Sequence, residues 1–214
     1  MKSEYDSHKY FYMTVGDEPP YFESLGEFSE LVEAKSGEAI DLKYVKMGAE
    51  DHGSIPYISL FSGLRFIFSE WQLPNDIFSK GLKEMDKHYQ YISDKFGYKV
   101  ETPEVFINQL GYNYLQSENI DAAIEVFSEN VKRFPKSANV YDSLGEAYEN
   151  SGQLDLAREN YKKAVELGKV NKNPNTEVYK KNLDRVSETA DNGKSTNAEH
   201  ALFLNFVAIM HQIN

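Results

Sequence analysis

The sequence contains no cysteine, which excludes disulfides, thiolate zinc sites and cysteine nucleophiles outright while saying nothing of compartment. It also lacks any block of basic residues. The net charge of −11 at pH 7 weighs against nucleic acid or an anionic membrane as the main partner, because neutralising phosphate takes clustered Lys and Arg. Long apolar runs are missing too: the longest, Ala201 to Met210, falls well short of the roughly 20 residues of a membrane-spanning helix. The opening residues Met1 to Asp6 have none of the apolar stretch that heads a secretory signal, so the chain reads as soluble, and as cytoplasmic, or periplasmic if an upstream signal was lost. His8, His88, His200 and His211 share no helical i, i+4 pairing backed by carboxylates, so no metal and no cofactor is expected. What the chain does have is aromatic side chains, 14% of its 214 residues, which suits helix-on-helix packing in one or two domains.

Lys9 to Val15 is short, aromatic and β-branched and is closed by Gly16, the pattern of a buried strand. A loop, Asp17 to Pro20, follows. Phe22, Leu25, Phe28, Leu31 and Val32 then recur at helical spacing up to Gly37, and Ile40 to Met47 reads as a second strand. This order predicts a βαβ unit with parallel strands and a right-handed crossover. Parallel sheets need several strands and cover on both faces. One edge of the pair is therefore expected to face solvent or missing protein, and residues 1–74 read as a remnant or a fragment. A Gly-flanked loop, Gly48 to Pro56, carries His52. A helix is expected from Ser54 or Ile55 to Trp71, and another from Asn75 to about Phe96, with Gly97 to Pro103 as a hinge-like connector; residues 75–100 form a connecting helix and linker.

Beyond it the sequence repeats. Ile107 to Tyr114 aligns with Tyr141 to Tyr148 at an offset of 34 residues, which also carries Ala123 onto Ala157 and Phe127 onto Tyr161. Each unit reads as two antiparallel helices, with Gly111, Gly145, Ala123 and Ala157 small where helices cross and Leu110, Tyr114, Leu144 and Tyr148 filling the seam. Pro135 closes the first unit and Gly152 sits in the turn of the second. These residues resemble the tetratricopeptide repeat, departing from its pattern at Asn130, where a small residue is usual, and at Lys169, where the proline falls. The repeats are placed at about 104–137 and 138–171 within residues 101–188. Two repeats need a cap, and Thr176 to Val186, with Val178, Tyr179, Leu183 and Val186 on one face, supplies one. The fold class expected is mostly α with a small βαβ element.

The first third resembles another family. The strand ending Thr14-Val15-Gly16-Asp17-Glu18 and the loop Glu50-Asp51-His52-Gly53-Ser54-Ile55-Pro56 before Leu64-Arg65-Phe66-Ile67-Phe68 resemble the C-terminal part of α/β-hydrolase esterases akin to enterochelin and other siderophore esterases. Members of that family often continue into tetratricopeptide repeats. The resemblance implies a serine esterase with His52 as the catalytic base and Glu18, or its neighbour Asp17, as the acid. The nucleophile elbow Gly-x-Ser-x-Gly is absent: Ser54, Ser62 and Ser143 lack the flanking glycines. In this fold the serine precedes the acid and the histidine, so nucleophile and oxyanion hole would lie upstream of Met1, and the chain alone is expected to be inactive. Without the resemblance, His52 reads as a surface histidine, Asp17 and Glu18 as solvated turn residues, and Glu50 and Asp51 as loop charges.

The other reading is a non-enzymatic interaction module that takes a protein or peptide in the groove of each unit's first helix, Glu104 to Gln116 and Val140 to Asn150. Neither segment contains Lys or Arg, which disfavours capture of a terminal carboxylate. Asn108, Gln109, Asn113, Asp142 and Glu146 would make the groove polar and mildly acidic. Residues 189–214 are read as a polar linker, Thr189 to Ala198, and an apolar terminal helix, His200 to Ile213. That helix must bury itself against the last repeat, in a homodimer, or against the missing hydrolase portion.

Overall fold

The computed structural model describes residues 8–190; the apolar tail and its dimer lie outside them. The described residues fall into two compact units with the boundary between Glu101 and Thr102. Among them no helix is long and apolar enough to cross a membrane.

The first unit opens with β1 (Lys9–Val15), α1 (Pro19–Ser36) and β2 (Ile40–Lys46). Pro19 starts α1, where its fixed φ suits a first turn and its missing N–H costs nothing. The strands pair in parallel from Lys9↔Ile40 to Val15↔Lys46. Their side chains alternate between two covered faces. Phe11 meets Phe28 of α1 at 6.1 Å, and the Tyr44 hydroxyl donates to the Phe22 carbonyl at 3.3 Å. On the opposite face, Tyr12 lies against Gly63 of α2 (Ile55–Ile67), where an added Cβ would come within 3.2 Å of the ring. Tyr10 and Tyr12 both reach Phe66. Two strands are thus sandwiched between helices, as in a larger α/β sheet. On the outside of α2, Tyr57, Leu60, Phe61 and Leu64 recur at helical spacing and stay exposed.

Two expected helices come out shorter. The helix after His52 ends at Ile67 rather than Trp71, and the chain turns through Ser69–Trp71. Phe68 and Trp71 are drawn out of line to meet Phe96, Phe68 stacked on it at 6.1 Å and Trp71 edge-on at 5.5 Å. The helix expected from Asn75 is broken into α3 (Ile77–Lys80) and α4 (Leu82–Phe96) by Gly81, whose φ of 83° and ψ of 179° no helix accommodates. Lys95 of α4 reaches Glu70 at 2.7 Å and Asp41 of β2 at 3.1 Å. Burial opposes its charge, but contacts with Glu70, Tyr10, Asp41 and Tyr91 outweigh that and hold its pKa above the ordinary lysine value.

The second unit is a helical array: α5 (Glu104–Gln116), α6 (Ile120–Arg133), α7 (Ala138–Asn150), α8 (Leu154–Asn171) and α9 (176–190). Gly111 and Gly145 let the second helix of each hairpin approach, for a Cβ would fall 2.4 Å from the Phe127 ring and 2.8 Å from the Tyr161 ring. Ala123, Phe127, Leu144 and Ala147 form one buried cluster, and Ala157, Tyr161 and Val186 another. α9 caps the array by sinking Tyr179 and Val186 into it. Val178 does not share that face and is half exposed, since one residue turns a helix by about 100°. The cap also runs past its expected end at Val186 to Ala190, which is itself buried, so the stretch from Thr189 begins as helix rather than linker. Asn130, at a position where the repeat pattern has a small residue, is fully buried and donates from Nδ2 to the Glu104 carbonyl at 3.3 Å.

Candidate functional sites

In the first unit the loops leaving the carboxyl ends of β1 and β2 are laced together. The Met47 N–H donates to the Val15 carbonyl at 2.7 Å and the Asp17 N–H to the Glu50 carbonyl at 2.9 Å. Gly16 makes that approach possible: a Cβ there would lie 2.7 Å from the Glu50 oxygen. The lacing brings the Glu18 carboxylate onto Nδ1 of His52, a direct contact with the carboxylate half-buried and the imidazole 87% exposed. Of the two acids read from the sequence, Glu18 is the one that meets the histidine. Beside the pair opens a cavity of about 480 Å³, lined among others by Thr14, Tyr21, Leu25, Ile55 and Ser59. An imidazole whose Nδ1 proton is held by a carboxylate presents Nε2 as an acceptor, the arrangement of a general base. The nearby serine and threonine hydroxyls are otherwise engaged. Ser59 shares a hydrogen with Thr14 at 2.6 Å, and Ser54 is bound up with Asp51. Among the described residues no group of three or more His, Cys, Asp or Glu could hold a metal ion.

In the second unit the first helices and the cap are joined by polar side chains. Tyr112 of α5 donates to Glu146 of α7 at 2.9 Å and meets Ser143 at 3.3 Å. Asp142 accepts from Asn182 of α9 at 3.0 Å, and Glu149 accepts from the Tyr161 hydroxyl at 2.8 Å while pairing with Arg185. Asp142, Glu146 and Glu149 lie at i, i+4 and i+7 and so share one face of α7. Burial pushes the Asp142 carboxyl up; the Asn182 bond and Arg185 pull it down, and the charges of Glu146 and Glu149 push it further up. The Tyr112 hydroxyl is likewise held well above its ordinary pKa by burial, with the Ser143 contact opposing and Glu146 reinforcing. Asn108 is half-buried, with its Oδ1 finding no hydrogen-bond partner among the described residues. Asn113 belongs to a different face and pairs along its own helix with Gln109 at 3.0 Å.

Sequence pattern alone does not single out Tyr112, Asn182 or Arg185, and Glu149 is not among the groove residues first read from it. The i+7 spacing from Asp142 is a signal that points to Glu149; the rest become visible only when the helices are assembled. Arg185 also brings to this face a cation that neither first helix contains.

Residues 138–168 match the tetratricopeptide repeat. The chain is 31% identical over 128 residues to small glutamine-rich tetratricopeptide repeat-containing protein 2 of Mycosarcoma maydis, a stretch covering 58% of this chain and 35% of that protein. A solved structure of an uncharacterised protein from Capnocytophaga ochracea is similar over 85% of this chain and 54% of that one, with a TM-score of 0.53 at 14% identity, a likeness of fold alone. MamA of AMB-1 is similar over 80% of this chain and 78% of that one, with a TM-score of 0.39 at 17% identity. The chain therefore spans about a third of the curated relative it matches and about half of the Capnocytophaga protein. The fold is a tetratricopeptide-like helical array joined to a small βαβ element. These likenesses name no hydrolase and lend the esterase resemblance no support.

Proposed function

We propose that this chain is a protein-interaction module whose helical repeats take up an extended peptide or a partner's surface segment. The observation that carries this reading is the repeat itself: residues 138–168 match the tetratricopeptide repeat, with the polar face of α7 running beside α5 and α9. The chemistry of the ligand follows from Asp142, Glu146 and Glu149 with the amide of Asn108. Such a face suits a segment bearing hydrogen-bond donors and Lys or Arg, and repels a free carboxylate. A peptide array probed with the full chain tests it. Binding should concentrate on basic peptides, weaken with added salt, fall at least tenfold with Glu146→Gln, and persist with His52→Ala. Equal binding by wild type and Glu146→Gln would remove the groove from the proposal.

A second reading is favoured by one specific contact, the pairing of His52 with Glu18 at the carboxyl rim of two parallel strands. In it, the first unit is the C-terminal segment of a serine esterase, with His52 as base and Glu18 as acid, and with the hydroxyl nucleophile contributed by polypeptide outside this chain. The exposed apolar stripe on α2 supports this reading, because a helix so apolar on its outer face suits further packing.

A further inference from the structure

We infer that Asp51 is the positioning residue for the His52–Glu18 pair: it fixes the backbone from which His52 reaches its acid. The inference rests on the second reading for its catalytic meaning, but the geometry stands without it. His52 is almost fully exposed, so no packing confines its imidazole. Its place is decided by the carboxylate it touches and by the backbone that carries it.

That backbone is shaped around one side chain. Oδ1 of Asp51 accepts the N–H of Gly53 at 2.8 Å and the N–H of Ser54 at 3.0 Å. The Asp51 N–H in turn donates to the Ser54 hydroxyl at 3.1 Å, and the Ile55 N–H closes on the Asp51 carbonyl at 2.9 Å. His52 is therefore the apex of a turn whose two following amides converge on the residue before it. The turn is anchored at its base, where the Glu50 carbonyl receives the Asp17 N–H next to Glu18. One loop thus carries the base and the other the acid, with Asp51 setting the curvature between the anchor and the imidazole. Those two amides hold the Asp51 carboxyl below its usual range, as expected of a carboxylate accepting backbone hydrogen bonds. Asp51, an exposed acid in a loop, is thereby assigned a task that its composition alone does not suggest.

The test uses the full chain labelled with ¹⁵N at histidine, with the His52 signal assigned by its loss in His52→Ala. On the basic side of the imidazole titration, wild type should give the nitrogen shifts of the Nδ1–H tautomer, the form the Glu18 contact selects. Asp51→Ala should lose that preference and give the averaged pattern of a free imidazole, matching Glu18→Ala. Asp51→Asn keeps the Oδ1 acceptor and should restore the wild-type pattern. An unchanged spectrum in Asp51→Ala overturns the inference. So does an Asp51→Asn spectrum as altered as that of Asp51→Ala, which would assign the effect to charge rather than to the turn. Circular dichroism of each variant separates a displaced imidazole from a lost fold. The readout is independent of ester cleavage, so failure of the esterase reading would leave the positioning result intact, and the reverse.

Discussion

Gly111 and Gly145 hold the same place in successive hairpins, and neither is there for conformational freedom. Each faces an aromatic ring that a methyl group would strike, Phe127 in the first hairpin and Tyr161 in the second. Tyr161 cannot swing aside cheaply, because it is fully buried and its hydroxyl is bonded to Glu149. Gly145→Ala should therefore cost about 1–3 kcal/mol of overpacking, measured as a fall in the denaturation midpoint. Gly48→Ala is the matched control, since a Cβ at that loop residue would meet nothing within 4 Å and its φ is not left-handed. If both variants melt with wild type, the ring contacts do not govern hairpin packing. This role is legible in the sequence, because small residues recurring one repeat apart, opposite large aromatics, mark the places where two helices cross closely. Asn130 is legible only as a departure: what it does, a hydrogen bond to the start of α5, depends on where another helix begins.

The element that carries most of the candidate groove is α7. Its acidic face is held between a tyrosine of α5 and an asparagine and an arginine of α9, and Asp142 is the member that burial penalises. Its folded pKa is raised above the unfolded value, so the ionised form is less at home in the folded chain than in the unfolded one. The folded state then binds more protons across that window, and stability falls as pH rises from the unfolded pKa through the folded one. Asp142→Asn removes the titration while keeping an oxygen to accept from Asn182. It should raise the melting temperature at neutral pH, with the advantage vanishing below the ordinary carboxylate range. Identical melting at neutral pH would show that this charge does not destabilise the helix array. A carboxylate kept at a cost to stability is the kind of residue that binding, rather than folding, retains.

For the whole molecule, the repeat reading is supported both by its match to a known repeat and by its packing, whereas the esterase reading rests on the His52–Glu18 contact and the exposed stripe of α2. The esterase reading makes a sharp demand at this scale. The purified chain should form no adduct with a fluorophosphonate probe and release no p-nitrophenol from the acetate ester. Hydrolysis should arise only when an N-terminal hydrolase half bearing Gly-x-Ser-x-Gly is supplied, and should vanish again with His52→Ala or Glu18→Gln. Turnover by the chain alone that depends on His52 would overturn the assignment of the nucleophile to another polypeptide.

By itself the sequence determined the local periods: a seven-residue strand from Lys9 to Val15, the two hairpins and the small residues at their crossings. Side-chain spacing and turn chemistry act over a few residues and can be read along the chain. Tertiary structure alone decided the polar face shared by Tyr112, Asn182 and Arg185, and the choice of Glu18 over Asp17. Each of these depends on the meeting of elements far apart in sequence, where parallel register and helix packing select among contacts that local pattern leaves equally open.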